Sequence, residues 1–165
     1  MYTKKTIKYF TNPKHFGKIK KADGVGKVGN VVCGDVMWLY FKVGQNAKKQ
    51  AIIKDVKFET FGCVAAIATS DMITGLAKGK TIKQALNINK DLIVKELGGL
   101  PTVKVHCSIL AIDALAEAIY DYLTKQKKPI PADLEKRHER IEQEKNIIKC
   151  KYKDWTDSLE MEDKK

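Results

Sequence analysis

The sequence predicts an α+β domain: a small antiparallel sheet with helices packed on one face, followed by a charged C-terminal helix. Three observations carry that expectation. Val36 to Val43 (VMWLYFKV) is rich in β-branched and aromatic residues, as a strand is. Ala51 to Glu59 shows the alternation of a second strand beyond a polar turn, which makes a hairpin. From Cys63 onward the apolar period lengthens to that of a helix.

In chain order, residues 1–16 read as an N-terminal arm with a short helix, broken at Asn12-Pro13. DGVGKVG (23–29) is punctuated by glycine and reads as a turn or tight hairpin. In the first strand Val36, Trp38 and Tyr40 share one face and Met37, Leu39 and Phe41 the other, because side chains alternate along extended backbone. GQNAKKQ (44–50) is the turn. The second strand sets Ile52, Val56 and Phe58 against Asp55, Lys57 and Glu59. VAAIATSDMITGLAKG then places Ala66, Ile67, Ser70, Ile73 and Ala77 at helical spacing, with Gly79 as its stop. Thr81-Ile82-Lys83-Gln84 has the pattern of a capping box and opens another helix near Leu86. LGGLPTVKVH (97–106) reads as an irregular loop. Ser108 to Leu123 is amphipathic: Ile109, Ile112, Ala116, Ile119 and Leu123 form a stripe, with Asp113, Glu117 and Asp121 on the other side.

The chain divides at residue 124 into a globular domain (1–124) and a charged linker with a helical extension (125–165). KQKKPIPAD (125–133) is the linker. ADLEKRHERIEQEKNIIK has so few apolar positions that it reads as a solvated helix, with Ile141, Ile147, Ile148 and Trp155 as the residues able to dock it.

At 165 residues and 18.6 kDa this is one domain with an appendage. No segment approaches the ~18 uncharged apolar residues of a membrane span, and the first residues lack the apolar stretch of a signal peptide. A cytoplasmic protein with no membrane partner is the expectation. In that reducing compartment its four cysteines are free, metal-bound or catalytic and not disulfide-bonded. A net charge of +11 invites a nucleic-acid reading, but the lysines are scattered and no arginine precedes Arg137. Arginine is the usual reader of phosphates and bases, so no nucleic-acid partner is expected. Dispersed lysines serve solubility or the steering of an acidic partner.

The cysteines are the informative residues. Cys33 (NVVCGD), Cys63 (TFGCVAA) and Cys107 (KVHCSIL) lie in junctions between elements, in three separated segments that only the fold can unite. Cys63 and Cys107 fall at or just before helix N-termini, where unpaired N–H groups and the helix dipole favour a thiolate. Asp35, two residues after Cys33, projects to the same side of an extended chain. His106 adds an imidazole beside Cys107, and Lys104 a balancing positive charge. Thiolates with a carboxylate and an imidazole make a soft, open site for iron, copper(I) or zinc. Cys150 lacks such neighbours and reads as incidental; His15 and His138 read as surface residues.

GKVGNVVCGDVMWLYFKV, DVKFETFGCVAAIATSDMITGLAKGKT and ELGGLPTVKVHCSILAIDALAEAIYDYL, in that order, closely resemble the IscU scaffold family, which includes the N-terminal domain of NifU. The resemblance spans about residues 2–124. It implies a scaffold, not an enzyme, on which a [2Fe–2S] cluster is built from iron and from sulfur delivered by a cysteine desulfurase, then passed to Fe–S acceptor proteins. It further implies that Cys33, Cys63 and Cys107 ligate the cluster, that Asp35 keeps the site labile, and that Cys107 accepts sulfur. His106 and Lys104 match the family's histidine and loop lysine. An Hsp70-type chaperone would recognise the LPTVK loop, although Thr102 stands where many bacterial members have a second proline. Cys150 and the rest of residues 125–165 lie outside the pattern, and nothing in them matches the CxxC motifs of full-length NifU. A zinc-binding sulfur-transfer protein of the SufU type, with zinc held by Cys33, Asp35, Cys63 and Cys107, is the alternative reading. That branch matches less well, since it typically carries an insertion and lacks a histidine at position 106. Zinc in the protein as purified and a homo-oligomer are further expectations.

Overall fold

The structure, a computed structural model, describes residues 1–30 and 33–151. Three antiparallel strands, β1 (Gly24–Gly29), β2 (Val36–Gln45) and β3 (Ala51–Phe61), form a sheet in the order β1-β2-β3. The helices are α1 (Lys4–Thr11), α2 (Val64–Ala77), α3 (Ile82–Leu86), α4 (Lys90–Glu96), α5 (His106–Lys125) and α6 (Ala132–Lys151), with a 3-10 turn at Thr102–Lys104.

The hairpin forms as expected, and Met37, Leu39 and Phe41 of β2 are fully buried. On β3 the inward set is Ile53, Val56 and Phe58, in place of the expected Ile52, Val56 and Phe58. A bulge is the reason: Lys42 pairs with Asp55 but Val43 pairs with Ile53. The extra residue reverses the alternation beyond it.

DGVGKVG is a strand and not the expected turn. Gly24 to Gly29 pair with Phe41 to Val36 of β2. The glycines serve packing: a Cβ at Gly24 would meet the Ala118 carbonyl, and one at Gly26 the Ala114 carbonyl. Removing both side chains lets α5 lie directly on β1, a close approach that glycine in a strand permits.

The N-terminal arm is tied down. Thr3 caps α1 by accepting from the Thr6 N–H and donates to the Leu97 carbonyl at 2.6 Å. Asp71 Oδ1 accepts from the Lys14 and His15 backbone N–H groups, at 3.0 and 2.8 Å, and lies 2.9 Å from His15 Nδ1. His15 is therefore a half-buried anchor instead of a free surface residue. The single helix expected near Leu86 is two short ones, because Asn89 accepts from the Leu92 N–H and starts α4 afresh.

The largest departure is α6. Leu134, Ile141 and Ile148, seven residues apart, are buried against α5 and β1. Opposite them, Asp113 and Glu117 of α5 are buried too, not solvated as their stripe suggested. Arg140 donates to both Asp113 oxygens (2.9 and 3.0 Å), while Lys145 and His138 reach Glu117 at 3.2 and 2.8 Å. His138 also stacks on Tyr120, 3.8 Å between ring centres. The solvated-helix expectation fails because α6 brings three apolar residues to the core and the cations that the buried carboxylates of α5 need. Ile147 stays half-exposed, Cys150 is exposed, and Trp155 lies outside the described residues.

Candidate metal centre

Three elements deliver the donors. Asp35 ends the β1–β2 connection, Cys63 is the N-cap of α2, and Cys107 is the second residue of α5. α5 begins at His106, two residues earlier than its pattern indicates, so Cys107 sits in the first turn where backbone N–H groups lack intrahelical partners. One donor atom each from Asp35, Cys63 and Cys107 lies within 4.8 Å of the others. The two sulfurs are 3.7 Å apart, and Cys107 Sγ is 3.9 Å from Asp35 Oδ2. Gly62 makes that convergence possible, since a Cβ there would lie 2.9 Å from the Asp35 carboxyl carbon. Thr69 holds the far side by donating to the Cys107 carbonyl at 3.2 Å.

Cys33 falls outside the 4.8 Å group but joins it through Asp35, whose carboxylate and backbone N–H both interact with its thiol. It is exposed, Cys63 is partly so, and Cys107 is buried. The activation expected of Cys107 at its helix N-terminus is outweighed by burial in the metal-free protein. Burial pushes the Cys33 thiol up, and the Asp35 carboxylate adds to this against the opposing pull of the Asp35 N–H. Burial likewise drives the Cys107 thiol well above its usual range, helped by negative charge on Cys63, Asp35 and Cys33. A cation at the centre would reverse these effects, because it favours the deprotonated ligand.

Lys104, in the turn before α5, has its ammonium form favoured above the usual range, chiefly by negative charge on Cys63. His106 stands beside Cys107 but outside the three-donor group, and its buried Nε2 has no hydrogen-bond partner among the described residues. A buried nitrogen without a partner is uncommon. Tyr2 was not legible as a neighbour of this site. Burial raises its phenol, and Cys63, Lys104, Cys107 and Asp35 all act on it; nothing in its local sequence signals a position that the folded N-terminal arm creates.

Cysteine sulfurs and a carboxylate that converge at one edge of a three-stranded sheet under helices form a donor set able to hold a soft metal. The family model described as the NifU-like N terminal domain matches residues 1–129. An iron–sulfur cluster assembly scaffold protein IscU of Archaeoglobus fulgidus is 56% identical over 128 residues, which cover 78% of this chain and 80% of that protein. The IscU scaffold of Aquifex aeolicus is 46% identical over 125 residues, 76% of this chain and 78% of its own length. Among solved structures, a scaffold protein of the SUF system from Fervidobacterium islandicum superposes with a TM-score of 0.55 at 25% identity, covering 72% of this chain and 96% of that one. The chain belongs to the NifU-like N-terminal family, among its IscU scaffold proteins.

Proposed function

We propose that the chain assembles a [2Fe–2S] cluster on Cys33, Cys63 and Cys107 and hands it to acceptor proteins, acting as a scaffold with no turnover reaction of its own. The observation that carries the reading is the convergence of Asp35, Cys63 and Cys107 donors within 4.8 Å, with Cys33 two residues from Asp35 on the same connection. Thiolates are the ligands such clusters take. Asp35 or His106 completes the coordination. A carboxylate is a harder ligand than the cluster prefers, so Asp35 in that position keeps the cargo exchangeable.

Sulfur arrives as persulfide from a cysteine desulfurase. Transfer is an attack by a scaffold thiolate on the donor's outer sulfur; one S–S bond forms, one breaks, and the desulfurase thiolate leaves, with no net redox change. Cys107 is the acceptor the family resemblance indicates, yet it is 1% exposed, so the desulfurase must shift the His106 end of α5 to reach it. The exposed Thr102 and Val103 leave the LPTVK loop free for an Hsp70-type chaperone. Among the described residues no helix is long and apolar enough to cross a membrane.

Anaerobic reconstitution with ferrous iron and sulfide, followed by visible absorption and metal and sulfide counting, tests the proposal. The expected result is the [2Fe–2S] chromophore with iron and sulfide in equal amounts. Binding of zinc alone, with no chromophore, would overturn it in favour of the sulfur-transfer reading.

A further inference from the structure

We propose that Ile148, near the C-terminal end of α6, is a positioning residue for the metal centre, seated against Gly29 so that it braces the connection carrying Cys33 and Asp35. The inference rests on the cluster-ligating role given to those residues above. A Cβ built on Gly29 would lie 2.8 Å from Ile148 Cδ1, 3.5 Å from Val36 Cγ1 and 3.8 Å from the Asp35 carbonyl oxygen. Ile148 thus fills a slot left by a missing side chain at the last pair of the β1–β2 ladder, Gly29 with Val36.

Directly beyond that pair the connection closes on itself. The Asn30 N–H donates to the Asp35 carbonyl at 2.8 Å, and the Gly34 N–H to the Asn30 carbonyl at 2.9 Å. The Cys33 N–H donates to Asn30 Oδ1 at 3.3 Å. Ile148 therefore packs beneath the hydrogen bonds that orient Asp35 and Cys33. A strand ending in glycine packs weakly by itself, and here the missing apolar contact comes from α6.

Leu134 and Ile141 join the main hydrophobic cluster, whereas Ile148 and Val36 are buried outside it. The first two residues hold α6 to the protein; the third serves the edge of the site. The family model ends at residue 129, so the brace comes from the extension.

Full-length Ile148→Ala, Ile148→Val and Leu134→Ala variants test this in two ways: amide hydrogen exchange at Asn30 and Gly34 in the metal-free protein, and release of the reconstituted cluster to a chelator. Ile148→Ala should speed exchange at both amides by about tenfold, as local opening becomes easier, and shorten cluster lifetime several-fold. Ile148→Val should stay near the parent. Leu134→Ala should lower the melting temperature with little effect on the two amides. Gly29→Ala alone should reproduce Ile148→Ala by displacing the isoleucine, and the double variant Gly29→Ala/Ile148→Ala should recover, because the new methyl occupies the vacated slot. Equal exchange in Ile148→Ala and Leu134→Ala, or no recovery in the double variant, would overturn the assignment. If even the parent holds no cluster, the scaffold reading fails, while the exchange data still decide whether Ile148 braces the connection.

Discussion

Replacing Ile141 by alanine is the sharpest test of how α6 is attached. Ile141 is 2% exposed, within the main hydrophobic cluster. The change removes three carbon atoms, at about 0.8 kcal/mol for each buried CH₂. The cavity left behind raises the loss to about 3 kcal/mol. A chain of this size loses about 2–4 °C of melting temperature per kcal/mol, so the melt should fall by about 6–12 °C. Total stability of about 5–15 kcal/mol leaves the variant folded. Ile147→Ala is the internal control: the residue is 49% exposed, and its loss should stay within about 0.5 kcal/mol, as at other surface sites. Urea and thermal unfolding of both full-length variants give the comparison. Equal, small losses would refute the packed helix and restore a solvated one.

Three further outcomes are expected. Arg140→Ala should cost about 1–3 kcal/mol at neutral pH by leaving the buried Asp113 without its main hydrogen-bond partner; burial already holds the Asp113 carboxyl above the usual range, although Arg140 and Arg137 oppose this. A carboxyl whose folded pKa is raised destabilises as pH rises through its titration, so the deficit should shrink toward acid pH in unfolding measurements; a deficit that grows on acidification would contradict the sign. Alanine at Cys33, Cys63 or Cys107 should abolish stable cluster reconstitution, read from visible absorption, since each loss removes a thiolate bond; two single variants that retain a full cluster would refute the ligand set. Asp35→Ala should make a bound cluster outlast that of the parent in an anaerobic chelator assay, and faster loss would make Asp35 a structural ligand.

The sequence exposes those parts of the fold whose signal is local. The β2–β3 hairpin is visible in the alternation of Met37, Leu39 and Phe41, and α2 in its apolar stripe; on α5 the helix is legible but its face is not, since Ile109 of the expected stripe is exposed while Leu110, Ala111, Ala114 and Leu115 are buried. The donor residues are visible as chemistry, because cysteines beside Gly34, Gly62 and His106 occupy junctions that local patterns delimit. What escapes is pairwise. Glycine in β1 signals a turn until α5 is seen to need its bare backbone. The bulge opposite Lys42 and Val43 swaps Ile52 for Ile53 without any mark in the strand's composition. Asp113 looks solvated when read alone, and only the guanidinium that Arg140 brings from another helix explains its burial. Sparse apolar residues at seven-residue spacing fall below what a single-helix pattern registers.

The donors at Asp35, Cys63 and Cys107 come from the β1–β2 connection, the β3–α2 junction and the start of α5. No fragment of the chain carries the set, so a cluster held as proposed binds only the finished tertiary structure. Mass action then favours the native chain by about 2.7 kcal/mol when cargo exceeds its dissociation constant a hundredfold. Delivery would reverse that gain, so the emptied chain would be the less stable of the two by the same amount.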